Sequence, residues 1–156
     1  MKETEKMLAY IDSYYDSYYR IDYLYYEWAA DHGIKDTTLF VLHEIYMEKD
    51  ECTQKNVTEN LGYPKQTVSF VMNKLERQGI ITRKKMPLDQ RNNLVKLTEE
   101  GEIFASKMIR EMKKHEIAAY LNMTEEERIL VTEGLKTLAN ALERSFQKKK
   151  KPITRV

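Results

Sequence analysis

The segment from Thr53 to Gly101 places helix, turn and strand signals in an order that few small folds share. Thr53 is suited to cap a short helix, and Leu61-Gly62 supplies the turn that ends it. Pro64 then stands at the first position of a second helix, where its missing N–H costs nothing. After that helix come two β-prone runs on either side of a charged loop. The segment therefore predicts helix, turn, helix, strand, loop and strand.

The second of these helices has one apolar face and one more polar face. Its apolar residues recur at i, i+3, i+4 and i+7 and so form the buried face: Val68, Val71, Met72 and Leu75. The opposite face carries short or planar hydrogen-bonding side chains near the helix N-terminus, which suit the base edges of a DNA major groove. With the strands that follow, this order is that of a winged helix-turn-helix. We expect the two strands at Ile80–Lys85 and Leu94–Leu97, with Met86–Asn93 as their loop.

Positive charge is concentrated in the same part of the chain. Residues 55 to 96 hold nine Lys and Arg and three acids, a net charge of +6, whereas the whole chain carries +1. Residues 1 to 54 carry a net charge of −7. Because an electrostatic field acts locally, this distribution predicts an anionic partner for the middle of the chain.

The predicted DNA contacts fall into three groups. Bases are expected to be read by side chains of the second helix: Gln66, Thr67, Ser69, Phe70 and Asn73. The loop offers Asp89 and Arg91, of which the arginine suits a narrow minor groove and the carboxylate steadies it. Phosphate contacts, which carry no sequence information, are expected from one threonine and six cationic side chains: Thr53, Lys55, Lys65, Lys74, Arg83, Lys84 and Lys85.

The whole sequence predicts a mainly α fold, about six helices with a wing of two to three strands, because only five glycines and three prolines interrupt 156 residues. The first helix is expected at Glu3–Asp31, with an apolar seam at a 3.5-residue period that requires a partner helix. Eight of the eleven tyrosines fall within it. A helix ending near Glu48, and two long helices capped by Thr98 and Thr124, complete the prediction.

Other features narrow the class of protein. A single cysteine, Cys52, excludes an intramolecular disulfide, and no apolar run approaches the roughly 20 residues of a membrane span. The segment after Met1 lacks the apolar region of a signal peptide, so we expect a cytoplasmic protein. We also expect no enzyme, cofactor or metal site, because no phosphate-binding glycine loop, His-Glu-x-x-His motif or recognisable nucleophile and base occurs.

These motifs resemble the multiple antibiotic resistance regulator (MarR) family of bacterial transcription factors. The resemblance covers nearly the whole chain, and its most specific parts are LERQGIITR, DQR and VKLTEEG, with LGYPKQTVS and the Gly33-Ile34 turn beside them. It implies an obligate homodimer in which the first, fifth and sixth helices of two subunits interlock. Each winged module would then take half of a palindromic site in double-stranded DNA. The chain departs from the family pattern at Phe70, where many members have a basic residue, and around Asn92 and Asn93.

The resemblance also implies a division of the chain. Residues 1–32 and 99–146 would form a helical dimerisation region, and residues 33–98 the winged helix-turn-helix module. Apart from the resemblance, residues 147–156 have too little apolar content to fold and are expected to form a disordered basic tail. The implied function is a dimeric, sequence-specific DNA-binding repressor that a small-molecule effector releases. Family members often hold small aromatic ligands between the dimer helices and the winged module. A filled aromatic core is the alternative for the residues that would line such a site here: Tyr18, Tyr25, Trp28, His43, Tyr46 and Met108.

Three alternatives stay open. An oxidant sensor would use Cys52, although the neighbouring acids Asp50 and Glu51 disfavour a thiolate. A winged module that binds a protein instead of DNA is supported by Phe70, an aromatic residue on the presumed reading face. A zinc sensor would use N and O ligands from two pairs, His43 with Glu44 and Glu111 with His115.

Overall fold

The structure is a computed structural model that describes residues 2–86 and 89–146, without the side chains of residues 50 and 89–91. The described part contains six α-helices and one two-stranded antiparallel sheet. A short 3-10 turn, Lys49–Glu51, lies between the second and third helices. In chain order the elements are α1 Glu3–Asp31, α2 Asp36–Glu48, α3 Gln54–Leu61, α4 Lys65–Arg77, β1 Ile81–Met86, β2 Asp89–Leu97, α5 Glu99–Leu121 and α6 Glu125–Ser145. The predicted mainly α fold with six helices and a wing is confirmed.

The helix ends follow from local capping chemistry. The Thr53 hydroxyl oxygen accepts a hydrogen bond from the Asn56 N–H at 3.1 Å, which starts α3. Gly62 ends α3 in the left-handed region at φ 66°, where a residue without a Cβ is favoured. Thr124 and Glu127 form the predicted capping box of α6, with reciprocal bonds of 3.2 and 2.8 Å.

The wing differs from the prediction in the length of its second strand. Strand β2 begins at Asp89, so much of the expected loop Met86–Asn93 is paired backbone. The register runs from Ile81 opposite Leu97 to Lys85 opposite Asn93, and shifts after Lys85. That loop prediction was wrong because the polar residues before Leu94 lack apolar alternation, whereas pairing with β1 holds them in a strand.

A third strand is reduced to a single bridge. Thr53 pairs with Leu94 in an isolated antiparallel bridge, and the Val95 N–H donates to the Cys52 carbonyl oxygen at 2.8 Å. This contact ties the start of α3 to the wing. The described residues therefore form a sheet of two strands, the lower of the two numbers predicted.

The core fixes how α4 is presented to solvent. Val68 and Met72 are fully buried, and Val71 and Leu75 are 4% and 2% exposed, as the periodicity predicted. They belong to a core that draws on α2, α3, β1, β2 and the first half of α5. Its other large members include Leu39, Leu42, Ile45, Val57, Ile81, Val95 and Ile109.

Gly101 allows α5 to begin directly against the turn that joins α4 to β1. The Thr98 N–H donates to the Ile80 carbonyl oxygen at 3.0 Å, and the Gly101 N–H donates to the Thr98 hydroxyl oxygen at 3.0 Å. A Cβ on Gly101 would overlap the Ile80 carbonyl oxygen and come within 2.8 Å of its carbon. The glycine is therefore required by the close approach of two backbones.

The chain forms two compact units, Met1–Ile109 and a second unit from Arg110 onward. In the first, α1 buries only Ala29 and exposes many large apolar side chains. In the second, none of the residues of α6 is buried.

No helix in the described part of the chain is long and apolar enough to cross a lipid bilayer. The predicted grouping of residues 1–32 with 99–146 concerns contacts between two copies and stays a prediction. The predicted tail, residues 147–156, lies outside the described residues.

Candidate nucleic-acid interface

Helix α4 carries the predicted base-reading side chains on the side away from the core. Gln66, Phe70 and Asn73 are exposed, and Thr67 and Ser69 are half-buried. The apolar contacts of the buried face hold this side outward, because rotating α4 would expose four core residues. The helix therefore presents a continuous polar and aromatic surface that begins in its first turn.

An open groove lies beside this surface, between α3, α4 and the wing. It brings together four of the predicted contact residues, namely Lys55, Lys65, Ser69 and Arg83. Its other lining residues were not predicted as contacts: Gln54, Thr58, Glu59, Asn92 and Asn93. Gln54 and Thr58 share one face of α3 at i and i+4, a spacing that was available from the sequence. Asn92 and Asn93 could not be predicted to line the groove, because their position depends on β2 beginning before Leu94.

Arg83 makes intramolecular contacts that were not predicted. Its Nε donates to Glu76 Oε2 at 3.1 Å, its Nη2 contacts the same oxygen, and Nη2 donates to Asn73 Oδ1 at 2.6 Å. Hydrogen bonds from Arg83 lower the pKa of the Glu76 carboxyl below its usual 4.5. The guanidinium therefore joins β1 to α4, and it is already engaged by two protein side chains.

The other predicted phosphate contacts differ in exposure. Lys74, Lys84 and Lys85 are exposed, as are Lys55 and Lys65 beside the groove. Thr53 is only 6% exposed, and its hydroxyl oxygen accepts the α3 capping bond. That position corrects the expectation for Thr53, which serves the helix start and not the surface that a phosphate would reach. The backbones of Asp89 and Arg91 belong to β2, while their side chains lie outside the described part.

The winged part of the chain matches a known protein family. A sequence profile described as the MarR family matches residues 32–92. The HTH-type transcriptional regulator YdgJ of Bacillus subtilis (strain 168) is 31% identical over 110 residues, 69% of this chain. Residues 32–92 therefore match the MarR family. The aligned part spans 65% of the length of YdgJ.

Solved structures share the MarR-family fold over most of the chain. The S. aureus MepR–DNA complex has a TM-score of 0.72 at 21% identity, covering 82% of this chain and 97% of that one. NadR in complex with 4-hydroxyphenylacetate has a TM-score of 0.68 at 18% identity, covering 81% of this chain and 89% of that one. At these identities the similarity shows the fold, and the predicted resemblance to the MarR family is confirmed.

The predicted ligand-lining residues have different environments. The Tyr25 ring lies 5.5 Å from that of Phe40, and the Trp28 ring lies 4.5 Å from that of His32. Met108 is 2% exposed, whereas Tyr18 is 47% exposed. The two others, His43 and Tyr46, are half-buried on α2. A ligand site among these six residues stays a prediction.

The metal-sensing alternative concerns a polar pair on α2. His43 Nδ1 lies 3.6 Å from Glu44 Oε1, and Glu44 Oε2 accepts a hydrogen bond from Asn60 at 3.0 Å. Glu44 is 4% exposed, so this bond links the interiors of α2 and α3. Among the side chains that the structure describes, no three or more of His, Cys, Asp or Glu are grouped to hold a metal ion. The second proposed pair, Glu111 and His115, likewise belongs to no group of three or more such side chains in the described part.

Cys52 lies in the core. Its side chain is fully buried, and burial, with smaller contributions from Glu48 and Glu44, raises the pKa of its thiol from 9.0 to about 12. The sequence predicted the direction of this shift from the neighbouring acids Asp50 and Glu51, whereas the causes in the described part of the structure are burial, Glu48 and Glu44. Burial is the main cause because it removes the solvation of a thiolate.

We expect the folded protein to resist thiol reagents near neutral pH. At pH 8 the raised pKa of Cys52 leaves a thiolate fraction lower than that of an unfolded thiol by about three orders of magnitude. The measurement is the rate of modification by a chromogenic disulfide, native and in guanidinium. Equal rates in the two states would contradict the buried position. Because the folded pKa is the higher one, the thiol's contribution to stability is complete below pH 9 and is lost as pH rises towards 12.

Proposed function

We propose that this protein is a dimeric, sequence-specific DNA-binding transcriptional repressor that a small-molecule effector releases. The observation that carries the proposal is the groove between α3, α4 and the wing, where exposed lysines adjoin the outward face of α4. A duplex presents phosphates and base edges side by side, so it requires this combination of point charges and planar hydrogen-bonding groups. The similarity to MepR, solved in complex with DNA, supports the same use of the fold.

The proposed contacts follow the exposure of each side chain. Bases would be read by the α4 face: Gln66, Thr67, Ser69, Phe70 and Asn73. Phosphates would be bound by exposed lysines: Lys55, Lys65, Lys74, Lys84 and Lys85. Arg91 would enter the minor groove with Asp89 beside it, as the sequence motif predicts. Thr53 is too buried to reach a phosphate. Arg83 would position the wing against α4, because Glu76 and Asn73 already engage its guanidinium.

Dimerisation is supported by apolar surface on the two terminal helices. The described residues of α6 include none that is buried, yet Leu130 is 73% and Leu135 57% exposed. In α1, Leu24 and Tyr19 are 64% and 60% exposed. Large apolar side chains exposed on one helix mark a surface for interaction, and a symmetric partner would cover those of α1 and α6. A twofold dimer would bind a palindrome with half-site centres about 34 to 36 Å apart.

Effector release is supported by the aromatic character of the helices around the winged module. NadR, which shares the fold, was solved with 4-hydroxyphenylacetate, a small phenol. We therefore propose a small aromatic effector for this chain, contacted by members of the set Tyr18, Tyr25, Trp28, His43, Tyr46 and Met108. Screening phenols for release of a bound duplex tests this part separately from DNA binding.

Adjacent residues on α4 allow a matched test of phosphate and base contacts. We expect Lys65→Ala to weaken binding to operator and random duplex alike, and to lower the salt dependence by about one phosphate contact. Gln66→Ala should cost about 1 to 3 kcal/mol on the operator only, because it removes a base contact. Both affinities and their salt slopes can be measured by fluorescence anisotropy.

Each variant is the control for the other, since both positions are exposed at the same end of α4. If Gln66→Ala loses the same affinity for operator and random duplex, Gln66 makes no base-specific contact. A Lys65→Ala variant that keeps the full salt slope would show that this lysine meets no phosphate.

A further inference from the structure

The centre of the proposed reading face is apolar. Phe70 is 65% exposed, one turn after Gln66 and three residues before Asn73. It cannot turn inward, because the opposite side of α4 is filled by Val68, Val71 and their neighbours in the core. An exposed phenyl ring at the centre of a helix surface makes a contact by shape and not by hydrogen bonding.

The polar neighbours of Phe70 restrict what that contact is. The Oδ1 atom of Asn73 already accepts a hydrogen bond from Arg83 Nη2 at 2.6 Å. Ser69 is half-buried and lines the groove on the side of α3. In the middle of the helix the outermost group is therefore the phenyl ring. The one apolar group that a base pair presents in the major groove is the C5-methyl group of thymine.

Charge decides between DNA and an apolar protein partner. On the same helix Lys65, Lys74 and Arg77 are exposed. An apolar protein patch seated on Phe70 would have to desolvate these cations, whereas flanking phosphates would neutralise them. The charges around the Phe70 ring therefore favour DNA, in which phosphates flank a groove that presents the apolar C5-methyl group of thymine.

We propose that Phe70 packs against the C5-methyl group of a thymine in each half-site and selects thymine at that position. This inference rests on the proposed DNA-binding function and adds the base that one residue specifies.

The test removes the methyl group and leaves the hydrogen-bonding pattern unchanged. A duplex selected in vitro for binding is compared with versions in which each thymine is replaced singly by deoxyuridine. For the wild-type chain we expect one replacement per half-site to weaken binding about fourfold, the equivalent of losing one buried methyl group. Other replacements should have little effect. Phe70→Ala should bind the parent duplex less tightly and lose this sensitivity, whereas Gln66→Ala should retain it.

The outcomes separate the inference from the function on which it rests. Absence of any preference for the selected duplex over a scrambled one would overturn DNA reading altogether. A wild-type chain that prefers the selected duplex but ignores every deoxyuridine would overturn the thymine contact alone. Sensitivity that persists in Phe70→Ala would assign the methyl group to another residue. Unchanged DNA binding by Phe70→Ala would also contradict the inference and would direct attention to a protein partner.

Discussion

Replacing Gly101 by alanine is expected to destabilise the folded protein by about 3 kcal/mol, at the upper end of the range for overpacked sites. The added methyl group would overlap the backbone carbonyl of Ile80, which cannot move aside like the end of a flexible side chain. Alanine is the better helix former by about 1 kcal/mol, but that gain is too small to offset the overlap. The junction between α4, β1 and α5 would have to open.

The matched control is Gly134→Ala in α6. No atom lies within 4 Å of a Cβ built there, so the same substitution should stabilise the helix by about 0.5 to 1 kcal/mol. Urea unfolding of the three proteins at one fixed concentration measures both effects, since a dimer's stability depends on concentration. An equal or greater midpoint for Gly101→Ala would contradict the backbone contact between Gly101 and Ile80.

Breaking the contact between Arg83 and Glu76 is expected to weaken operator binding about tenfold, within the range for a single contact in a protein–DNA interface. The ion pair itself adds little stability, because Glu76 is 39% exposed and water screens it. Its effect would come from geometry, since Arg83 fixes β1, and with it the wing, against α4. Both Arg83→Ala and Glu76→Gln should produce the loss.

The salt slope distinguishes positioning from a direct phosphate contact. If Arg83 acts by positioning, both variants lose affinity while the slope of log K against log salt stays near the wild-type value. If Arg83 binds phosphate, Arg83→Ala alone loses affinity and its slope falls by about one contact, while Glu76→Gln binds as well as wild type. The wild-type pair should also weaken as pH falls through the lowered pKa of Glu76, because protonation removes its charge.

The helices could be predicted from the sequence because their boundaries are set by local chemistry. Thr53, Gly62 and Thr124 each act on backbone groups within a few residues, so their types and spacing predict the caps. The start of β2 was not predictable in this way. Its polar residues are strand only because β1 pairs with them, and register is a property of two segments together.

The candidate site shows the same division. The exposed face of α4 followed from the period of its buried residues. The contacts of Arg83 did not follow, because they join a strand to residues seven and ten positions earlier on a helix. Likewise, Thr53 was assigned to phosphate by residue type, whereas its burial is decided by the bridge to Leu94.

Competition between a selected duplex and a scrambled duplex of the same length and composition tests the proposed function most directly. Fragments of the source genome are first selected on the purified protein, and affinities are then measured at physiological salt. A sequence-specific regulator is expected to prefer the selected duplex by at least about a thousandfold, with two half-sites one helical turn apart. Equal affinity for the two duplexes would contradict a role for α4 and the wing in reading DNA.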